Sequence, residues 1–330
     1  MRRDVQVAIF TEGSREIGLG HISRCLALAE AFKAKESEVR FLVRGDETGK
    51  ILLSGWKVKF FNWESEASHT EAFLAGTTVA VVDSYTAAPE FYTFVTKRVP
   101  ITLFLDDFFR LPYPEQAFIL NSTAEPDENP RHLFGLEYAL LRSAFWKVPK
   151  REVKREVKRV LVTFGGEDLR GLTPAAVSAV REVFPEAECA VVIGPAFSKT
   201  DFAFDNNLVK LYRNLLAEKM RNLMLASDIA VSAGGQTLFE LARTGTPTVV
   251  VEVGPDQEKN IVKLSKAGFL SVAGRWDDKN LFMAVKSRLM ELKSPILRKK
   301  QAYAGQAAID GLGARRVAEK ILKEARKCSV

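Results

Sequence analysis

The chain has 330 residues, a length that suits two domains of about 150 residues better than one hydrophobic core. Hydrophobic residues make up 47% and charged residues 27%, a globular balance that excludes a disordered or fibrous chain. The formal net charge of +7 fits a phosphorylated small molecule or a solvated basic surface as well as a polyanion, so charge alone selects none of them.

After the basic opening MRRD, Val5–Phe10 reads as a first strand. The run is too short for a signal peptide or a membrane span, so a cytoplasmic protein without stable membrane insertion is expected. Thr11–Glu30 follows, a glycine-bearing turn that passes at once into a helix over about 21–35, with Ile22, Leu26 and Ala29 on its apolar face. Strand, tight glycine loop and helix start together bring backbone N–H groups toward an anionic ligand. Gly18 and Gly20 supply the conformational freedom, and His21 stands at the helix entrance. Glu38–Val43 and Lys57–Phe61 read as strands, Glu66–Leu74 as a helix, and Thr77–Val82 as a strand ending in Asp83-Ser84-Tyr85. Pro89–Thr96 predicts a helix, Ile101–Leu105 a strand ending in Asp106-Asp107, and Phe118–Leu120 a short strand ending at Asn121. Near-continuous apolar strands alternating with helices predict a mostly parallel sheet covered on both faces. Such sheets bind ligands beyond their strand C-termini, where Glu12, Ser14, Asp83, Tyr85, Asp106 and Asn121 recur.

Between Ser122 and Pro149 the pattern dissolves into turns. Lys147–Arg159 holds seven Lys or Arg against two Glu, and its interspersed valines and Glu156/Arg159 pair read as a solvated interdomain connector, not a nucleic-acid patch. Arg159–Phe164 then opens a second alternating unit, continued by Gly165-Gly166-Glu167-Asp168 and a helix over Pro174–Val183 with Thr173 as N-cap. Strands are predicted over Ala187–Ile193, Leu208–Leu211, Ile229–Ser232, Thr248–Val253 and Phe269–Val272, making a six-stranded Rossmann-like unit. Ala217–Ala226 and the segments after Thr237 and Lys259 read as helices, as do Asp278–Leu292 and Gly311–Arg326.

Two glycine loops carry the chemistry. In the second half, strand–Gly234-Gly235-Gln236-Thr237–helix forms a phosphate or diphosphate cradle, with a hydroxyl from Thr237 and N–H groups from the first helical turn. Glu240 suits a carboxylate accepting from two ribose hydroxyls, with a capping box to Thr237 as the alternative. Gln257 and Asn260, beyond the next strand, are placed to reach a sugar. Neither loop ends in the Lys-Ser/Thr of a P-loop, and Ser23 breaks the dinucleotide glycine pattern. The three histidines are widely separated, and Cys25, Cys189 and Cys328 show no metal or disulfide spacing, so no metal or cofactor is expected. A divalent cation at Asp83 with Asp106 or Asp107 is the alternative, and Cys25 reads as a core residue. At a helix N-terminus the dipole opposes protonation of His21, and a neutral imidazole is what a general base requires.

The stretches IGLGHISRCLALA from Ile17 to Ala29, VTFGGEDLRGLT, GLEYALLRSAF and VSAGGQTLFELARTGTP resemble the PseG/SpsG-like family over about residues 5–265. These are nucleotide-sugar hydrolases of pseudaminic acid synthesis and relatives in spore-coat polysaccharide synthesis, similar to MurG-type glycosyltransferases. The resemblance implies an α/β, GT-B-like fold: two Rossmann-like domains with parallel sheets facing an interdomain cleft. The expected domains are 1–148 for sugar or acceptor, 149–310 for nucleotide, and 311–330 as a helix returning to the first domain. It implies a UDP-sugar substrate, with Gly234, Gly235, Gln236 and Thr237 on the diphosphate and Glu240 on the ribose. His21 corresponds to the family's catalytic histidine, activating water for inverting C1–O cleavage. Glu12, Ser14, Gly18, Gly20, Tyr85, Asn121, Gly165, Gly166, Gln257 and Asn260 are expected to bind substrate, with Tyr85 and Asn121 in sugar-side loops and Gln257 and Asn260 in a later acceptor or sugar-contacting loop. Where the hydrolases' first strand runs into Arg-x-Asp-x-Ser, this chain has Phe10, Glu12 and Ser14, so a different amino sugar, such as a precursor of legionaminic-like acids, fits as well. Hydrolysis is the first expectation, glycosyl transfer the second and non-catalytic sugar-nucleotide binding the third. No nucleic-acid partner is expected, and the oligomeric state is left open.

Overall fold

The computed structural model describes residues 5–14, 17–197, 204 and 207–328. The chain divides into two compact units, Met1–Ser143 with Gly311–Val330, and Ala144–Asp310.

In the first unit, strands β1 (Gln6–Gly13), β2 (Glu38–Gly45), β3 (Lys57–Phe60), β4 (Val79–Asp83), β5 (Ile101–Leu105), β6 (Phe118–Asn121) and β7 (His132–Phe134) form one parallel sheet. Their order is β3-β2-β1-β4-β5-β6-β7, so the chain reverses its direction of winding at β1 and β4. Every residue of β4 and β5 is buried, because parallel strands carry crossover helices on their faces. The helices of this part are α1 (Gly20–Lys33), α2 (Ala67–Leu74) and α3 (Pro89–Thr96). On one face of the sheet Phe10 packs edge-on against Trp63 and Phe91.

The second unit contains β8 (Arg159–Thr163), α4 (Thr173–Val183), β9 (Glu188–Ile193), β10 (Val209–Arg213), α5 (Ala217–Ala226), β11 (Ile229–Ala233), α6 (Thr237–Thr244), β12 (Thr248–Glu252), α7 (Glu258–Lys266), β13 (Leu270–Arg275), α8 (Leu281–Glu291) and α9 (Pro295–Ala308). Its parallel strands run in the order β10-β9-β8-β11-β12-β13. The last helix, α10 (Gly313–Lys327), belongs to the first unit. It packs on α1, with Gly313 pressed against the Ala139 backbone and Arg316 donating to Glu137 O at 2.9 Å.

Four expectations change. His132–Phe134 is a strand inside the stretch read as turns; three residues are too few for a period, and pairing with β6 is what makes them a strand. The helix α9 also goes beyond the elements expected, since its buried residues are Arg298, Gln301, Ala302 and Gly305, not an apolar stripe. Lys147–Arg159 does not join the two units, for it lies wholly in the second, although most of it is exposed as a solvated segment should be. Within it, buried Arg151 donates to Leu225 O at 2.7 Å and to Ser227 O at the end of α5, and Arg159 pairs with Glu188 at 2.7 Å, not with Glu156. Finally, Thr173 does not cap α4: the Asp168 carboxylate accepts from Leu172 N at 2.9 Å and Thr173 N at 2.8 Å. Among the described residues no helix is long and apolar enough to cross a membrane.

Candidate functional site

In the first unit the C-terminal ends of β1 and β4 and the start of α1 converge. Parallel pairing sets Thr11 of β1 beside Asp83 of β4, which puts Glu12 at the same edge. The turn into α1 is tight: Gly18 has φ +85°, and its N–H donates to Ser14 O at 2.9 Å. Ser14 Oγ accepts from Ile17 N at 3.2 Å, so Ser14 shapes this turn. Gly20 starts the helix, and His21 and Arg24, three apart, share the face turned to the strand ends.

His21 is 5% exposed, with Nδ1 2.7 Å from Asp83 Oδ1 and Nε2 3.9 Å from Glu12 Oε1. Its ring meets Tyr85 edge-on, with centroids 4.3 Å apart. Arg24 grips Asp83 twice, Nε to Oδ2 at 2.7 Å and Nη2 to Oδ1 at 2.5 Å, and reaches Asp107 with Nη1 at 2.5 Å. Tyr85 donates its hydroxyl to Asp107 Oδ2 at 2.7 Å. Burial alone would raise the Asp83 carboxyl, but the Arg24 guanidinium and His21 outweigh it and hold Asp83 far below the usual carboxylate range. An ionised carboxylate only accepts, so Nδ1 carries the proton shared with Asp83, and of the two neutral tautomers this favours the one with the lone pair on Nε2. Buried Cys25, with Sγ 3.5 Å from Asp83 Oδ2, packs beneath.

Two residues expected on the sugar side are internal instead. Glu12 is fully buried, and Tyr85 N (2.8 Å), Ser84 Oγ (2.9 Å) and Arg44 Nη2 (2.5 Å) all donate to it. Burial works against its ionisation, and these donors prevail and keep its pKa below the ordinary value. Glu12 therefore builds the loop that carries Tyr85. An arginine does reach this carboxylate, but from position 44 on β2 and not from position 10. Asn121 is also fully buried: its Oδ1 accepts from Thr123 N at 3.0 Å and Ala124 N at 2.9 Å, and its Nδ2 donates to Asp106 O at 2.8 Å. It closes an Asx turn after β6, and its side chain lies wholly inside the protein. Asp83 and Asp107, weighed as cation ligands, share Arg24 instead.

In the second unit the loop after β11 is held from both sides. Gly234 N donates to Gln257 Oε1 at 2.7 Å, and Asn260 Nδ2 donates to Gly234 O at 3.1 Å. The same Gln257 oxygen accepts from Val253 N at 3.2 Å, tying the loops after β11 and β12 together. Gln257 and Asn260 thus orient the Gly234 peptide. A Cβ at Gly234 would lie 2.6 Å from Ile261 Cδ1, whereas one at Gly235 has 3.8 Å to its nearest neighbour. Thr237 and Glu240 form no capping box: Gln236 holds the N-cap position, and no side chain caps α6. Glu240 lies one turn into α6 and is 4% exposed.

Gly165, at φ +83°, turns the chain out of β8, and Gly166 O accepts from Ala196 N at 2.9 Å. Gly194 lies hard against both carbonyls, where a side chain has no room. Next to them Glu167 has a buried Oε2 with no hydrogen-bond partner among the described residues. Burial, helped by the nearby Asp256 charge, pushes its carboxyl up to about 7.

Sequence reasoning placed Asp83 at the ligand edge but did not pair it with His21, and it passed over Arg24 and Glu167. The i, i+3 spacing of His21 and Arg24 was a usable signal; the influence of the Asp256 charge on Glu167, 89 positions away in the chain, was not.

No protein-family model matches the chain. An uncharacterised protein of Methanocaldococcus jannaschii is 27% identical over 75% of this chain. Helicobacter pylori pseudaminic acid cytidylyltransferase and UDP-2,4-diacetamido-2,4,6-trideoxy-beta-L-altropyranose hydrolase is 22% identical over 73% of it. The chain spans about half the length of these two proteins, 55% and 43%. Bacillus subtilis spore coat polysaccharide biosynthesis protein SpsG is 25% identical, with 95% of this chain and 96% of that protein covered. The chain is thus similar in sequence to PseG/SpsG-like proteins. Among solved structures, Acinetobacter baumannii MurG superposes with TM-score 0.67 at 12% identity over 97% of this chain and 99% of MurG. The glycosyltransferase of kitacinnamycin also reaches 0.67, at 16% identity over 98% and 99%. The fold of this PseG/SpsG-like chain is accordingly that of the GT-B glycosyltransferases.

Proposed function

We propose that this protein processes a nucleoside-diphosphate sugar, and that it hydrolyses a UDP-linked amino sugar at the anomeric carbon with inversion. The observation that carries this is the His21–Asp83 pair at the helix start, with Nδ1 engaged at 2.7 Å. His21 Nε2 takes a proton from water as the water oxygen bonds to C1. The C1–O bond breaks, its electron pair leaves on the diphosphate, and a single displacement inverts the centre. In the second unit the Gly234–Thr237 loop and the start of α6 receive the diphosphate charge. Thr237 supplies a hydroxyl, and Glu240 takes the ribose. Tyr85, Gly18 and Gly20 border the imidazole on the sugar side, and Gly165 and Gly166 border the phosphates.

Hydrolysis is favoured by the hydrolase named in the H. pylori relative, and a place in surface-polysaccharide synthesis by the name of the B. subtilis one. Transfer to an acceptor hydroxyl is the second reading, favoured by the glycosyltransferases among the structural neighbours. The test is incubation with UDP-, GDP- and CMP-activated amino sugars, scoring free nucleotide and free sugar. Turnover without acceptor supports hydrolysis; turnover only when an acceptor is added supports transfer. Undiminished turnover by His21→Ala would remove the base assignment.

A further inference from the structure

Sheet order sets β11 between β8 and β12, so the loops leaving β8 and β12 flank the Gly234–Gln236 loop on either side. They reach each other across it. Arg170 of the first loop donates from Nε to Val253 O of the other at 3.3 Å while stacking 3.9 Å over Trp276, and the charge of Asp256 bears on Glu167. Glu167 follows directly on Gly165-Gly166, and its buried Oε2 has no hydrogen-bond partner among the described residues. A buried carboxyl oxygen with no hydrogen-bond partner, under the influence of the Asp256 charge, is stable with a proton and costly without one. The other charged groups close by are committed: Asp168 to the N-terminus of α4, and Arg170 to Trp276 and Val253. A proton on Oε2 therefore has no acceptor among the described residues, beside the loop that the nucleotide-sugar reading assigns to phosphate.

Resting on the nucleotide-sugar reading of the second unit, we propose that Glu167 is a further nucleotide ligand. In its protonated form it donates a hydrogen bond to a diphosphate oxygen held at Gly234–Thr237. Ionised, the same carboxylate repels the diphosphate, so nucleotide affinity falls as pH rises. The carboxyl is poised for this, since burial and Asp256 hold its pKa at about 7. Removing the Asp256 charge favours the ionised form and shifts the loss of affinity to lower pH.

The test is calorimetric titration of the full chain with UDP at about pH 6 and about pH 8, for wild type, Glu167→Gln and Asp256→Asn. The terminal phosphate of UDP titrates in the same window and cancels in the ratio of wild-type to Glu167→Gln constants. That ratio should change about tenfold across the interval, the linkage expected for one group titrating midway. In Asp256→Asn the loss should begin at lower pH than in wild type. A ratio that stays constant while both proteins bind UDP overturns the Glu167 assignment and leaves the nucleotide site standing. Loss at the same pH in Asp256→Asn also counts against it. If neither protein binds UDP at either pH, the nucleotide site itself falls and takes Glu167 with it.

Discussion

His21 and Asp83 lie 62 residues apart and meet at 2.7 Å, Nδ1 to Oδ1, where the start of α1 crosses the end of β4. Asp83 is held ionised by Arg24, so it accepts from Nδ1 and, of the two neutral tautomers, favours the one with the lone pair on Nε2.

The first prediction separates tautomer from presence. His21→Ala should lower turnover of the UDP-sugar by about 10²–10⁴-fold, the usual worth of a positioned base, and leave UDP affinity unchanged. Asp83→Asn keeps the imidazole in place, but its amide can donate to Nδ1 and favours a proton on Nε2. Its kcat should fall by about 10²-fold or more, with the UDP Kd again unchanged. Steady-state kinetics and UDP titration of both variants decide it, and wild-type kcat in Asp83→Asn would show that Asp83 does not set the tautomer.

A second prediction concerns acid. Asp83 and Glu12 both have folded pKa values below their unfolded ones, so each adds stability that is complete above about pH 5. That stability is lost as pH falls through the folded values, because the unfolded chain binds protons first. Arg24→Gln leaves Asp83 and Asp107 without their shared cation. Breaking such a buried pair should cost about 3–5 kcal/mol at neutral pH. It should also move the onset of acid unfolding to higher pH. Circular dichroism melts from about pH 3 to about pH 7 are the measurement, and parallel profiles for the two proteins would contradict the prediction.

Much of this was legible in the chain. The glycines before His21 and the spacing of Ile22, Leu26 and Ala29 marked a loop entering a helix, and a parallel sheet makes that edge a ligand edge. What could not be read was whether a polar residue at a strand end faces a ligand or the interior. Glu12 and Asn121 look like ligand residues in sequence and are consumed inside the protein. For Asn121 the following Ser122-Thr123 was a turn signature and a fair warning. The helix α9 escaped for a different reason: Arg298 is fully buried on its inner face because it donates to Lys154 O at 2.9 Å and Arg155 O at 2.8 Å, so polarity there hid a packed helix.

A third prediction follows from the basic segment after residue 147. Buried Arg151 donates to the carbonyls that close α5, and burial outweighs the nearby Asp228 charge and lowers its pKa. Arg151→Met preserves the stem and leaves those carbonyls without donors, at a cost of about 1–3 kcal/mol for each one that stays buried and unpaired. Urea unfolding should show a lower midpoint for the second unit. A midpoint equal to wild type would show that Arg151 does not anchor this segment.

The fourth prediction uses two adjacent glycines against each other. At Gly234 an added methyl meets Ile261 Cδ1 at 2.6 Å and Gln257 Cβ at 2.9 Å, so Gly234→Ala must shift the loop and should lower both Tm and UDP affinity. At Gly235 the nearest atom, Gln257 Nε2, is 3.8 Å away, an ordinary contact that leaves the fold intact. A diphosphate lying against the backbone there would still collide with the methyl group, because close approach is what a glycine permits. Gly235→Ala should therefore keep the wild-type Tm and lose about tenfold or more in UDP affinity, roughly 1.4 kcal/mol. Thermal melts paired with calorimetric titration separate the two effects. Wild-type UDP affinity in Gly235→Ala would mean that no phosphate approaches this loop closely, and the cradle would have to be sought elsewhere along the edge of the second sheet.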